Sequence, residues 1–430
     1  MYLSRTQAAT LRARPPLLLQ NSGIRGHRAL WPLLGPAFIA AIAYVDPGNF
    51  ATNFSAGTAL GYRLLWVILA ANGLAMLIQI LTAKLGVATG RDLASLCRET
   101  LPRPLVWALW LQAEGVAIAT DLAEIIGGGV GLQLLLGVPL PVGALITAAV
   151  AFLLLGTQSR GHRPFELVIG GLLLTVALGF GYMLVGAGID PAALGSGVMP
   201  SLGGGDGPLL AVGILGATVM PHVIYVHSAL TPQRYGDVDD AGRSAAGRAR
   251  LLRAQRLDVF LAMGLAGLAN AAMLVVAAQL FAGGDDRARP TLQDVHTGLA
   301  EHSGSSAALA FAVALLASGL AASAVGTHAG QIVMGGFLRC RLPVAVRRVI
   351  TIAPTVALLT AGADPTTALI WSQVALSFGL PFALVPLVWL TSRRTIMGPW
   401  VNRPVTIAAA VLVTGLVLAL NGYLVISAFS

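Results

Sequence analysis

Charge is what this 430-residue chain lacks: Asp, Glu, Lys and Arg make up only 10% of it, against about 25% in a soluble globular domain. Lysine is almost absent, since Lys84 is the only one and arginine supplies the rest of the 27 basic residues. Cysteine is equally scarce. Cys97 and Cys340 stand far apart without metal-ligand spacing, which excludes a disulfide scaffold and a cysteine-built metal centre and leaves two free thiols in cytosolic loops. No nucleotide-binding motif and no nucleophile–base constellation occurs, so the chain does not read as an enzyme, and no cofactor is called for. There is no soluble domain and no low-complexity tail.

What is present is apolar sequence, 56% hydrophobic with a mean hydropathy of +0.79. It comes in repeated runs of twenty or more residues. Lipid accommodates only helices or closed barrels, and these runs are too long for barrel strands, so the fold class is all-α and polytopic, with the lipid bilayer as partner. The net charge of +9 would suggest nucleic acid in a soluble protein. Here the arginines sit in short loops, where they control topology, and nucleic acid is not expected. The first apolar segment is too long for a signal-peptide core and is read as a retained span.

Eleven spans can be drawn, at 31–59, 64–88, 104–136, 139–157, 165–187, 208–231, 255–282, 306–336, 343–362, 366–391 and 404–428. The third and eighth exceed what the hydrocarbon needs and should tilt or protrude. The connections alternate in charge. Those on the side of the N-terminus hold 23 Lys and Arg residues; the opposite side holds Arg63, Arg287 and Arg289. Such asymmetry places the N-terminus in the cytosol and the C-terminus outside a cell membrane. The chain then divides into a cytosolic segment (1–30), five spans (31–187), five more (208–391) and an added eleventh (404–428).

Two of the spans are interrupted. In the first, Tyr44-Val45-Asp46-Pro47-Gly48-Asn49 puts a carboxylate, a proline and a glycine inside an apolar run. In the sixth, Met220-Pro221-His222 follows Gly213 and Gly216, and proline frees the carbonyls around Ala217 by removing a backbone donor. A simple proline kink would explain the second break alone. The first and sixth spans, however, open two sets of five, and five is odd, so the second set enters from the opposite face as an inverted repeat. Interrupted helices at corresponding positions of inverted halves mark the midplane site of a secondary transporter.

The donor types narrow the cargo. Asp46 is the only charged residue in its span, and an intramembrane carboxylate is by default functional; capping of the half-helix at Asn49 is its structural alternative. Asn49 adds an amide oxygen and Met220 a thioether, unless Met220 merely packs. Hard cations want oxygen alone, while a thioether suits softer transition metals, so the set favours Mn²⁺ or Fe²⁺ over Mg²⁺ or Ca²⁺. In the third span Glu114, Asp121 and Glu124 fall at 0°, −20° and −80°, on one helical face. This pattern suits either a proton path or an ion-pair network, with Arg347 and Arg348 as candidate partners of Asp121. His222 and His227 follow the second break, and since a free histidine titrates near neutrality both are further candidates for the proton path.

Asp46-Pro47-Gly48-Asn49 together with Met220-Pro221-His222 closely resembles the Nramp family of proton-coupled divalent transition-metal transporters, and the likeness extends to Asp121-Leu122-Ala123-Glu124. The resemblance implies a LeuT-like fold and alternating access. It also implies metal ligation by Asp46, Asn49 and Met220, with the Ala43 or Ala217 carbonyl joining according to state and Gln373 approaching in closed states. It assigns a proton path to Asp46, Glu124, His222 and then Asp121 with the arginines; Asn270 fits as a polar neighbour. Cd²⁺, Co²⁺ and Zn²⁺ are further candidate cargoes, and a monomer is expected. The competing reading is a sodium-coupled organic-solute symporter of the same fold, which would want an anion-binding half-helix and no soft ligand. His296, His302, Asp285, Asp286 and Asp294 read as solvated loop residues, Asp92, Glu99, Asp190 and Asp364 as caps or loop residues, and Glu166 and Asp258 as acids at helix starts that suit the dipole.

Overall fold

The computed structural model describes residues 34–235, 245–282, 290–340 and 343–428. The cytosolic segment 1–30, Asp285, Asp286, Arg287 and Arg289 lie outside the described residues. Among those described, every regular element is helical.

The first span is two half-helices, α1 (Pro36–Ala43) and α2 (Pro47–Leu60), and a 3₁₀ turn over Gly61–Leu64 leads into α3 (Leu65–Thr89). Gly61 turns at φ +59, a left-handed conformation that glycine adopts without a Cβ penalty. A short helix α4 (Leu93–Thr100) precedes α5 (Arg103–Leu136), α6 (Leu140–Gly156) and α7 (His162–Ala187). After α8 (Pro191–Gly197), the sixth span is again split, into α9 (Gly207–Thr218) and α10 (Pro221–Tyr235). Then come α11 (Ala245–Phe281), α12 (Leu292–Ser303), α13 (Ser305–Leu338), α14 (Val344–Thr360), α15 (Pro365–Thr391), α16 (Arg394–Met397) and α17 (Pro404–Ala428).

Eight helical stretches among the described residues are long and apolar enough to cross a membrane, with Leu140–Gly156 a shorter apolar ninth. One of the eight, Pro47–Thr89, joins α2 to α3 through the 3₁₀ turn. The split sixth span is innermost, with 94% of its apolar window buried, whereas α7 and α17 bury only 28% and face outward. A helix apolar all round belongs in a core or in lipid, and here both cases occur.

Small residues let the inner helices approach. A Cβ on Gly319 of α13 would lie 2.6 Å from the Gly128 amide nitrogen of α5. A Cβ on Gly57 of α2 would lie 2.5 Å from the Leu274 carbonyl of α11. Such close backbone contact replaces the missing hydrophobic drive between helices in lipid.

Several connections carry more structure than expected. The inner loop 232–254 is shortened from both sides, as α10 runs to Tyr235 and α11 starts at Ala245. The outer loop 283–305 contains α12, so Asp294, His296 and His302 sit on a helix, Asp294 in a capping box with Thr291. Asp92, Asp190 and Asp364 are N-caps, as read. Asp258 is not at the start of its own helix. It lies thirteen residues into α11 and accepts the Gly35 and Ala37 amides at 3.0 and 2.9 Å, so it caps α1 instead. Both thiols are free, Cys97 buried and Cys340 exposed.

Candidate cation site at the two helix breaks

Both breaks arise from the same local chemistry. Pro47 and Pro221 occupy the first position of α2 and α10, where a missing N–H costs nothing and the fixed φ suits helix initiation. Counting back one helical bond from each proline gives Ala43 and Ala217, the last and next-to-last residues of α1 and α9. In an unbroken helix their carbonyls would accept from residues 47 and 221, and proline has no N–H to give. The two ligand carbonyls implied by the family resemblance are thus marked by a simple offset of four.

Between the half-helices the chain is extended. Asp46 has φ −76 and ψ 169, and Val219 has φ −120 and ψ 85. The C-terminal ends of α1 and α9 both point their carbonyls at this region, an electrostatic environment that favours a cation. Neighbouring helices satisfy two further carbonyls of the first break. Asn270 of α11 donates to the Tyr44 carbonyl at 2.7 Å, and Ser318 of α13 donates to the Val45 carbonyl at 2.6 Å. Asn53 supports Asn270 in turn, at 3.0 Å.

Asp46, Asn49, Met220, Gln373, Ala43 and Ala217 are all fully buried. Asp46 Oδ1 accepts both the Asn49 amide N–H and its Nδ2, each at 2.8 Å, so the capping role is real. Asn49 Nδ2 also donates to the Ala217 carbonyl at 3.1 Å, linking the two breaks. Gln373 Nε2 reaches Asp46 Oδ2 at 3.3 Å. Asn49 Oδ1, Gln373 Oε1 and Thr218 Oγ1 are buried oxygens with no hydrogen-bond partner. An unsatisfied buried acceptor costs about 1–3 kcal/mol, so a cluster of them beside one carboxylate is a feature a bound cation would repay. Glycine makes the closeness possible: a Cβ on Gly48 would fall 1.8 Å from Gln373 Nε2, and one on Gly216 would fall 1.9 Å from the Gln373 carbonyl. Among the described residues no group of three or more His, Cys, Asp or Glu side chains is placed to hold a metal. The donors that the breaks bring into contact among the described residues are the Asp46 carboxylate, the Asn49 and Gln373 amides and the Ala217 carbonyl, with the buried Met220 beside Pro221.

The acids of α5 are brought together with the arginines of α14. Arg348 binds Asp121 at 3.2 Å, Thr327 Oγ1 at 2.7 Å and Ser323 Oγ. Arg347 pairs with Glu114 at 2.8 Å rather than with Asp121. Glu124 is fully buried; neither carboxylate oxygen has a partner within 3.5 Å, but the Asp121 carboxyl stands close enough for a longer contact, and the charge of Asp46 also reaches it. It packs on the backbone of α13, where a Cβ at Gly326 would lie 2.6 Å from Oε2.

His222 Nδ1 lies 3.2 Å from Thr120 Oγ1 of α5. His227 belongs elsewhere: its Nδ1 is 2.6 Å from Gln79 Oε1, and Gln79 donates to the Tyr44 hydroxyl. Gln79, Asn53, Thr120 and Ser318 were not singled out from sequence. Their signal was available, since each is a polar side chain inside an apolar run.

A family model described as natural resistance-associated macrophage protein-like (Nramp) matches residues 37–427. The chain belongs to the Nramp family. Among Nramp relatives, the divalent metal cation transporter MntH of Deinococcus radiodurans is 49% identical over 424 residues, covering 98% of this chain and 94% of that protein. The protein of the same name from Pectobacterium carotovorum is 48% identical over 414 residues, covering 96% and 98%. A crystal structure of the Eremococcus coleocola manganese transporter superposes on this Nramp chain with a TM-score of 0.83 at 30% identity, covering 94% and 88%. The nucleobase-cation symporter Mhp1 aligns at TM-score 0.60 and 16% identity and shares the LeuT-type fold alone. The Nramp family consists of membrane transporters, not enzymes.

Proposed function

We propose that this chain transports divalent transition-metal cations, Mn²⁺ and Fe²⁺ foremost and Cd²⁺, Co²⁺ and Zn²⁺ as further cargoes, together with protons by alternating access. The observation that carries the reading is the sealed donor set between two broken helices: Asp46, Asn49, Met220 and the proline-freed carbonyls of Ala43 and Ala217, with Gln373 closing over Asp46. A single carboxylate with a thioether and neutral oxygens suits a soft divalent ion, and only modest binding lets cargo leave. The names of the relatives support a divalent cation, and that of the superposed structure supports manganese.

In this mechanism the arriving cation takes the Asp46 carboxylate from its amide donors and displaces any proton held there. Glu124, buried close to Asp121, accepts that proton and passes it towards Asp121 and the arginine pairs, with His222 flanking the route. Glu114 and Arg347 form its cytosolic end. Asn270 holds the unwound Tyr44–Asp46 segment, and His227 holds the cytosolic half of the same split spans through Gln79. The chain crosses a cell membrane eleven times as a monomer, N-terminus in the cytosol and C-terminus outside, as two inverted five-helix repeats (31–187 and 208–391) with 404–428 added.

The test is uptake into proteoliposomes with Mn²⁺, Fe²⁺, Cd²⁺, Mg²⁺ and Ca²⁺ in competition while internal pH is followed. Saturable Mn²⁺ uptake with internal acidification supports the reading. Equal transport of Mg²⁺ or Ca²⁺ by the unaltered protein would sink the donor-set argument.

A further inference from the structure

A second, unassigned site lies away from the breaks, where α3 and α11 part. One face of α3 carries Asn72, Met76, Ile80 and Lys84 at helical i, i+4 spacing. Its first half is packed tightly: a Cβ on Gly267 of α11 would fall 2.2 Å from Asn72 Nδ2, and one on Gly264 would meet Met76 at 4.0 Å. Beyond that contact the helices separate. A shallow cleft, open to the outside and enclosing only about 10 Å³, lies between Ile80 and Lys84 on one side and Leu252, Gln255 and Arg256 on the other.

The cleft has an apolar floor and a cationic rim. Lys84 donates to Asn402 Oδ1 at 2.7 Å, which fixes its ammonium at the rim. The charges of Arg256 and Arg403 both act on it. No carboxylate pairs with Lys84, Arg256 or Arg403 among the described residues. Asp258, the nearest acid along α11, is turned to the backbone of α1. Next to Arg256, α11 exposes Leu257, Phe260, Leu261 and, farther along, Leu268. A cluster of cations at the membrane interface with an open apolar face above it is the arrangement that takes a phosphate headgroup and its acyl chains together.

We propose that this cleft binds an acidic phospholipid, the phosphate held by Lys84 and Arg256 with the charge of Arg403 nearby, and the acyl chains lying on the exposed face of α11. The shared chemistry is a phosphate anion. The apolar track selects the lipid over free phosphate. The proposal is independent of the cargo.

Native mass spectrometry of the full-length protein in detergent, titrated with phosphatidylglycerol, phosphatidylcholine or inorganic phosphate, tests it. Each cation near an anionic lipid surface is worth roughly a five-fold preference. Lys84→Gln/Arg256→Gln should therefore weaken phosphatidylglycerol binding about 30-fold and leave phosphatidylcholine unchanged. Arg256→Gln alone, at an exposed position that folding does not require, should weaken it about five-fold, and Lys84→Arg/Arg256→Lys should preserve it. Equal affinity of the unaltered protein for the two lipids overturns the proposal, as does undiminished phosphatidylglycerol binding by the two glutamine variants. Inorganic phosphate binding as tightly as the lipid makes the site one for a soluble anion and overturns the lipid assignment.

Discussion

Arg348→Gln offers the sharpest test of the buried network on α5 and α14. The guanidinium is almost fully buried and binds Asp121, Thr327 and Ser323. Removing it leaves the Asp121 carboxylate, itself only 4% exposed, without a counter-ion. Stranding one partner of a buried pair costs about 3–5 kcal/mol. Changing both partners, Asp121→Asn with Arg348→Gln, leaves only neutral groups that each lose about 1 kcal/mol of hydrogen bonding. Asp121→Asn alone strands Arg348 at a similar cost, so the two single changes together exceed the double by about 4 kcal/mol or more, a coupling of several hundred-fold in the unfolding equilibrium. A double-mutant cycle measured by SDS-driven unfolding in mixed micelles reads this directly. The matching cycle on Glu114 and Arg347 is the internal control. The Glu114 side chain is 16% exposed, so water shares its charge and the coupling should fall to about 1 kcal/mol. If Arg348→Gln is no worse than the double variant, Asp121 is not carried as a buried anion, and its place on the proton route loses its physical basis.

Three further outcomes follow from the site. Gly216→Ala drives a Cβ into the Gln373 backbone carbonyl, which cannot swing aside, so it should cost about 1–3 kcal/mol and abolish Mn²⁺ uptake. Gly170→Ala, with open space around it, should transport normally, and equal loss in both would remove the packing argument. Met220→Ala should weaken discrimination against Ca²⁺ more than Mn²⁺ uptake itself; a matched loss for both ions would make Met220 a packing residue. Glu124→Ala should uncouple proton flow from metal flow in pH-monitored liposomes, and unchanged proton uptake would remove Glu124 from the path.

The helix breaks were legible because proline acts locally: its missing N–H alters the same turn wherever the helix packs. The acid stripe on α5 was legible for a similar reason, since helical periodicity places three carboxylates on one face. Partner choice was not. Arg347 and Arg348 are adjacent in sequence, and only the docking of α14 against α5 sends one to Glu114 and the other to Asp121. Asp258 was misread because its own helix begins at Ala245, ten residues earlier than the apolar run suggests, and its partners lie 221 and 223 positions away. His227 shares a half-helix with His222, yet it joins Gln79 and Tyr44, a contact across three elements that no local pattern carries.

The offset of four between Ala43 and Pro47, and between Ala217 and Pro221, has a kinetic consequence. A side-chain ligand must release its current hydrogen bond before it can meet an incoming ion, and that release contributes to the barrier. A carbonyl whose helical donor was deleted at the covalent level owes no helical bond: the Ala43 carbonyl stands so, and the Ala217 carbonyl holds only the 3.1 Å bond from the Asn49 side-chain amide. Under the proposed function, an ion shedding its water shell would meet two main-chain oxygens whose place is set by an imino acid and could exchange one oxygen for another stepwise.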